Sequence, residues 1–334
     1  MKKMIALLII FLLLTWLFIF YENAKSKKKI INILHVGGKE PGNYSFIQDA
    51  IDNASECDTI FIYNGTYYEN VIVNKTVNII GENKETTIIN GFVKNENDTY
   101  FVVFYVIANK VKISNITVTN DGYKQDPQQY NNTGYGIIVK ANNTTIIGNV
   151  IKGNTIGIVL ENAFNNEIKN NKITNYNKNQ NTFSEKNKEI GIFFNMSENN
   201  RIINNTITNF SGTGVRLSNT CKNNLLYYNN FINNTENAND SGNNSWDNTQ
   251  HGNFWDDYND ADKNNDGIGD TPYKIPNGEN QDNYPLMMPY DGTFRIKEFY
   301  VDYTLVFTML IIGMVLVIIF LIPIAYFWNK KQKN

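Results

Sequence analysis

Oxygen-bearing side chains crowd one short stretch of this 334-residue sequence. Asp262-Lys263-Asn264-Asn265-Asp266-Gly267-Ile268-Gly269-Asp270 sets Asp, Asn, Asp and Asp at the first, third, fifth and ninth places, with Gly at the sixth. Calcium loops have this spacing, because the ion takes about six to eight hard oxygens and the glycine permits a tight bend. The ligands would be Asp262, Asn264, Asp266, the Ile268 carbonyl and Asp270. The place of the bidentate glutamate falls on Tyr273, so Asp257, Asp260 or Asp282 would have to complete the shell. The competing expectation is a polar turn held by its own Asp and Asn hydrogen bonds.

Other chemistry has less to stand on. Hydrolysis by two carboxylates needs paired acids. Between Gly134 and Asn234 the acids are Glu161, Glu167, Glu185, Glu189 and Glu198, with no close Asp pair, and the arginines are Arg201 and Arg216. Copper favours His, Cys and Met. His35, His251, Cys57, Cys221, Met287 and Met288 are scattered without ligand spacing, so copper is not expected. Cys57 and Cys221 stand too far apart in the expected fold for one bridge and read as free thiols. Formal net charge is −2, and the middle of the chain is nearly neutral, which excludes a nucleic-acid footprint. Tyrosines remain as sugar-stacking candidates: Tyr130, Tyr135, Tyr227 and Tyr228, whose ring faces suit sugars while neighbouring amides suit hydroxyls. Outward tyrosines are also ordinary on strands.

These residues sit on or beside a repeat that runs from about Gly134 to Asn234. Its first step reads Gly136-Ile137-Ile138-Val139, Gly157-Ile158-Val159-Leu160, Gly191-Ile192-Phe193-Phe194 and Gly214-Val215-Arg216-Leu217. Its second reads Ile146-Ile147-Gly148-Asn149-Val150-Ile151, Ile168-Lys169-Asn170-Asn171-Lys172-Ile173, Ile202-Ile203-Asn204-Asn205-Thr206-Ile207 and Leu226-Tyr227-Tyr228-Asn229-Asn230-Phe231. The offsets are 22, 34 and 24 residues, the longest holding a polar insertion at 174–188. Runs of three to five residues, rich in Ile and Val and bounded by Asn and Gly, suit short strands. A period in the low twenties indicates stacked coils. A leucine-rich repeat would need a Leu-x-x-Leu-x-Leu frame, which is absent. The expected fold is all-β, a right-handed single-stranded parallel β-helix. Ile146, Ile151, Ile168, Ile173, Ile202, Ile207, Leu226 and Phe231 would stack inward. Asn would occupy the bends, where it tolerates left-handed angles and forms amide ladders.

Before the repeat, Ser45-Phe46-Ile47-Gln48 predicts a capping box with Ser45 as N-cap, opening a short amphipathic helix over the first coil. Asn43-Tyr44-Ser45-Phe46-Ile47-Gln48-Asp49-Ala50-Ile51, Asn64-Gly65-Thr66-Tyr67-Tyr68-Glu69-Asn70 and Asn78-Ile79-Ile80-Gly81-Glu82 resemble the opening of NosD-like right-handed parallel β-helix proteins, within the wider carbohydrate-binding and sugar-hydrolase β-helix group. Asn253-Phe254-Trp255-Asp256-Asp257-Tyr258, Asp266-Gly267-Ile268-Gly269-Asp270-Thr271-Pro272-Tyr273 and Asp282-Asn283-Tyr284-Pro285-Leu286 resemble its closing segment. The resemblance spans about 36–290 and implies fold far more than activity. Cys57 departs from it, standing where the family has Gly.

The ends read as membrane segments. Lys2-Lys3 and the apolar run Met4–Phe20 suit a signal peptide or an uncleaved anchor. Tyr303–Trp328 is uncharged and long enough to span a bilayer, and Lys330, Lys331 and Lys333 place the C-terminus in the cytoplasm. The expected organisation is a signal or anchor at 1–30 and a β-helix ectodomain at 31–290. Within the ectodomain, 33–91 opens the solenoid, 92–239 is its centre and 240–290 an acidic cap. A linker at 291–302, a span at 303–328 and a tail at 329–334 follow. Triplets such as Asn64-Gly65-Thr66, Asn115-Ile116-Thr117, Asn195-Met196-Ser197 and Asn209-Phe210-Ser211 fit an external location. Function reads as that of a membrane-anchored cell-surface protein with non-catalytic carbohydrate or envelope binding, or a structural role. A polysaccharide lyase or glycoside hydrolase and a NosD-type copper/reductase maturation factor are the alternatives.

Overall fold

The computed structural model describes Thr15 and residues 31–91, 100–120, 133–175 and 189–292. Three parallel sheets wrap one core. Sheet A has nine strands, from Ile33–Val36 to Asn243–Ser245; sheet B has eight, from Gly65–Tyr68 to Phe254–Trp255; sheet C has seven, from Val71–Val73 to Glu236–Asp240. The chain passes from C to A to B and back to C, so each circuit adds one strand to each sheet. This is a parallel β-helix. Among the described residues the one antiparallel strand pair, Tyr273–Lys274 with Gln281–Asp282, lies outside the coils.

The core is stacking in register. In sheet A, Ile79, Ile113, Ile146, Ile168, Ile202 and Leu226 lie one above another. Sheet B does the same with Val118, Ile151, Ile173, Ile207, Phe231 and Trp255. All are essentially inaccessible, and each such side chain contributes roughly 1.5–3 kcal/mol of apolar burial. Trp255 closes the far end, stacked on Phe231 at 4.4 Å on one face and on Tyr273 at 4.2 Å on the other. The recurrent Gly of the first repeat step has a steric cause. A Cβ on Gly136 would lie 2.5 Å from the Gly157 carbonyl oxygen, and one on Gly157 would lie 2.6 Å from that of Gly191.

Asparagines form two interior columns. At the A-to-B corner, Asn149, Asn171, Asn205, Asn229 and Asn253 each donate Nδ2 to the next amide or carboxylate oxygen along the rod. The first four bonds, ending on Asn253, are 3.1, 3.0, 3.0 and 2.9 Å. The same Nδ2 groups also bond a carbonyl of the preceding coil, as Asn205 does with Ile168 at 2.9 Å. Each backbone N–H bonds the same oxygen as its own side chain. Every donor and acceptor of such an amide is therefore used. At the C-to-A corner, Asn166, Asn200, Asn224 and Asn244 repeat the pattern at 3.0, 2.9 and 2.8 Å. The residue ahead of most inward Asn is left-handed: Gly148, Asn170 and Asn204 at one corner, Asn165, Asn199 and Asn223 at the other. Cys57 has φ 71°, so the place where the family resemblance leads one to expect Gly does require a left-handed residue.

The opening helix α1 (Ile47–Asn53) buries Ile47, Ala50 and Ile51 against the first coil. Its start differs from the expected capping box. Phe46, not Ser45, is the N-cap and supplies no side-chain bond. The carboxylate of Glu69, from the first coil, accepts from the N–H groups of Ile47 (2.9 Å) and Gln48 (3.1 Å). Gln48 is instead spent on the coil: its Oε1 accepts from Ile72 N at 2.8 Å. The free helix N–H groups are thus met by a distant acid, which welds cap to solenoid. Cys57 and Cys221 are both free thiols.

Replacing Asn205 with Leu strands two donors and two acceptors. It is expected to lower the unfolding free energy by about 3 kcal/mol, whereas Asn204→Gly, at a left-handed position, should cost under about 1 kcal/mol. Denaturant titration of both variants checks the contrast; equal losses would contradict it.

Candidate functional site

The second repeat step breaks its own pattern once. At the left-handed place before the inward Asn, three coils carry Gly148, Asn170 and Asn204, and the fourth carries Tyr228 at φ 58°. An L-residue with a large side chain pays of order 1 kcal/mol there, and such strain collects at functional places. Tyr228 is the centre of an aromatic cluster. Its ring stacks on Tyr290 at 4.2 Å and 11°, and stands 5.2 Å from both Tyr227 and His251. Tyr227 ends the sheet A strand Lys222–Tyr227 and accepts at its hydroxyl from the Arg201 guanidinium at 3.2 Å.

The chain beyond the coils supplies the other two rings. Tyr228 N donates to Gly252 O at 2.6 Å, which brings His251 alongside. Asn230 clamps the backbone of Tyr290, donating Nδ2 to its carbonyl at 2.8 Å and accepting its N–H at 2.7 Å. All four rings are partly exposed. Burial holds the His251 pKa below its ordinary value, with the charge of Asp266 acting the other way. Burial, then Tyr290 and Tyr227, raise that of Tyr228. The result is an uncharged aromatic surface with a guanidinium on one side and the acidic loop on the other.

That loop is held by its own bonds. Asp262 accepts from the N–H groups of Asp266 (3.1 Å) and Gly267 (2.9 Å), Asp266 from Ile268 N (2.8 Å), and Asp270 from Lys263 N (3.0 Å). Asn264 donates to Asp266 at 2.9 Å. The residues named to complete a calcium shell are engaged elsewhere. Asp257 accepts from Asn237 and from the Tyr273 hydroxyl, and Asp260 from Thr271. Asp282 is wholly buried at the end of the A-to-B column. Among the described residues no three His, Cys, Asp or Glu side chains are placed to hold a metal. The loop as folded is a turn held by its own Asp and Asn hydrogen bonds.

Asp282 has a different task. It accepts from Asn253 N (2.7 Å), Asn253 Nδ2 (3.3 Å), Trp255 Nε1 (2.9 Å) and Tyr284 N (3.0 Å). Asp240 ends the C-to-A column likewise, accepting from Asn244 and from Trp246 Nε1, both at 2.9 Å. Burial pushes the Asp282 pKa up to about 7, against the lowering effect of these bonds.

Of the tyrosines expected to bind sugar, Tyr227 and Tyr228 are brought together. Tyr135 lies on sheet C, in the strand Thr133–Val139, and Tyr130 lies outside the described residues. His251 and Tyr290 escape sequence reasoning because no period ties them to the repeat. A Tyr in a Gly/Asn column is the available signal.

The family described as "periplasmic copper-binding protein (NosD)" matches residues 51–260, more than half of the chain. The chain belongs to the NosD family. No curated protein matches it by sequence. Among solved structures, pectate lyase Pel9A is 13% identical with a TM-score of 0.48, covering 69% of this chain and 63% of its own. ORF18 of Geobacillus virus E2 is 15% identical with a TM-score of 0.45, covering 62% of this chain, which spans only 43% of that protein. Pectin methylesterase from carrot is 14% identical at 0.41, with 63% and 66% covered. Likeness this distant says nothing of what this chain binds. The copper of the NosD description finds no fitting donor set among the described residues. His35 packs on Phe61 and Tyr63 in the first coil, His251 on Tyr228 near the last, and Cys221 is buried.

Two outcomes follow for this end of the rod. Because the folded Asp282 holds its proton more tightly than an unfolded Asp, stability should fall as pH rises from about 4 to 7 and level off above. Asp282→Asn should remove that slope and lower the melting temperature at every pH, since its NH₂ would meet other donors. A chelator should move the melting temperature by under about 1 °C, and a rise of several degrees with calcium would show the loop rearranging around the ion.

Proposed function

We propose that this NosD-family β-helix stands outside the cytoplasm on its C-terminal apolar span and binds carbohydrate at the Tyr228 cluster without cleaving it. The observation that carries this reading is the strained Tyr228, held in a partly exposed stack that adds nothing to the core. Ring faces suit the apolar faces of sugars, and the Arg201 guanidinium at its margin suits hydroxyls. The non-cleaving part is supported by the described wall acids, which are spent singly; Glu185 lies outside the described residues. Glu161 pairs with Lys140 at 2.8 Å, Glu167 with Lys169 at 2.6 Å and Glu198 with Lys222 at 3.3 Å, while Glu189 accepts from Ser211.

The anchor is a reading of sequence. Residues 303–328 and the run 4–20 lie outside the described residues apart from Thr15, and among the described residues no helix is long and apolar enough to cross a membrane. The uncharged run 303–328 and the lysines after it support the span and its direction.

The family match favours a second reading, in which the chain serves copper-enzyme maturation. A copper titration of the purified protein tests it: binding tighter than about micromolar would support it and displace the sugar reading. The first reading is tested on a glycan array with a parallel reducing-sugar assay. Tyr228→Asn should keep the melting temperature, because Asn is native to this place in other coils, and should weaken glycan binding at least about tenfold, a loss of some 1.4 kcal/mol. Undiminished binding, or release of reducing ends, would contradict the proposal.

A further inference from the structure

The chain is dense in Asn-x-Ser/Thr triplets, and the fold divides them sharply. Most of their asparagines have carboxamides already committed. Asn43 donates to Gly37 O at 2.6 Å, Asn115 to Gly81 O at 2.7 Å, Asn204 to Asn170 at 2.9 Å, Asn233 to Asn209 at 2.6 Å and Asn239 to Glu236 at 3.2 Å. Asn64 accepts from Thr86 at 2.6 Å, and Asn142 from Phe164 N at 2.8 Å. A substituent on Nδ2 of the five donors would disturb bonds that hold neighbouring segments together, while at Asn64 and Asn142 the bonded Oδ1 fixes the orientation of the amide.

Three are different. Asn74 in Asn74-Lys75-Thr76, Asn143 in Asn143-Thr144-Thr145 and Asn243 in Asn243-Asn244-Ser245 are exposed, and their side chains take no hydrogen bond among the described residues. Their positions coincide in the topology. Asn74 follows the first strand of sheet C, Val71–Val73; Asn143 lies between Thr133–Val139 and Thr145–Ile147; Asn243 opens the last strand of sheet A. All three therefore lie on the C-to-A corner, at the first, a middle and the last coil. The Tyr228 cluster is on the A-to-B corner, the other edge of sheet A.

We propose that Asn74, Asn143 and Asn243 are N-glycosylation sites that dress one edge of the rod and leave the Tyr228 edge bare. The inference rests on the extracytoplasmic reading above. In the transfer, Nδ2 of the asparagine attacks the anomeric carbon of a lipid-phosphate-linked oligosaccharide. The carbon–nitrogen bond forms, the bond to the phosphate oxygen breaks, the lipid phosphate leaves, and one Nδ2 proton is released. No redox partner is needed. The Ser or Thr two residues on is what the transferring enzyme reads.

The test is glycopeptide mass spectrometry on the full chain isolated from its native membranes, beside protease shaving of intact cells. The expected result is sugar on peptides holding Asn74, Asn143 and Asn243 and none on Asn115, Asn204 or Asn233. Ser245→Ala should remove the sugar at Asn243 while leaving that asparagine and the melting temperature intact. Sugar on the committed asparagines overturns the proposal. So does a bare chain that shaving removes, which leaves the external location standing. A bare chain that shaving cannot reach overturns both the location and the proposal.

Discussion

A column of asparagine amides inside a β-solenoid has a direction. Each Nδ2 points toward the C-terminal end and each oxygen receives from the coil before. Such a column cannot end on another amide, because the last NH₂ would be buried without an acceptor, at a cost of about 1–3 kcal/mol. It needs a group that accepts without donating in turn. A carboxyl group meets that need, since at Asp282 one oxygen accepts from both Asn253 and Trp255 whichever protonation state the other is in, and both interior columns end on one: Asp282 at the A-to-B corner and Asp240 at the C-to-A corner. In each case an indole N–H, from Trp255 or Trp246, shares the carboxylate. The B-to-C corner closes similarly, with Asn234 donating to Asn237, and Asn237 to Asp256 and Asp257. The acidic character of the C-terminal segment follows in part from this polarity, and the two tryptophans that plug the core also finish its polar wiring.

The same constraint divides labour among the corners. Most inward asparagines have a left-handed residue ahead of them, and those places are Gly or Asn by default. That default makes Tyr228 stand out, and ties the candidate binding surface to the coil that the C-terminal cap clamps. Replacing that cap would cost the site two of its rings. Residues 92–99, 121–132 and 176–188, outside the described residues, each fall in sequence between a sheet B strand and a sheet C strand.

Much of this is legible in the sequence. The inward Ile, Leu and Phe positions follow from the repeat, because strand alternation and coil stacking leave little freedom once the period is known. The bends follow from paired asparagines for the same reason. The helix over the first coil is legible as an amphipathic run, but not its cap, since Glu69 reaches it from another element. Asp282 can be picked out as an acid of the cap but not as the end of a column. A carboxylate that closes a buried amide column and one that holds calcium have the same letter and the same company of Asp and Asn. Tyr227 and Tyr228 can be named from the repeat, whereas His251 and Tyr290 are joined to them only by the path of the cap.

The central claim is that the amide column acts as one connected structure along the rod. Hydrogen–deuterium exchange, followed by peptide along the chain in Asn205→Leu against the native protein, tests it most directly. The account predicts faster exchange at the substituted coil and also at the backbone N–H groups of Asn171 and Asn229, one coil away on each side, with the stack around Tyr228 loosened. Loss of protection confined to the coil of residue 205, with both neighbours unchanged, would contradict it.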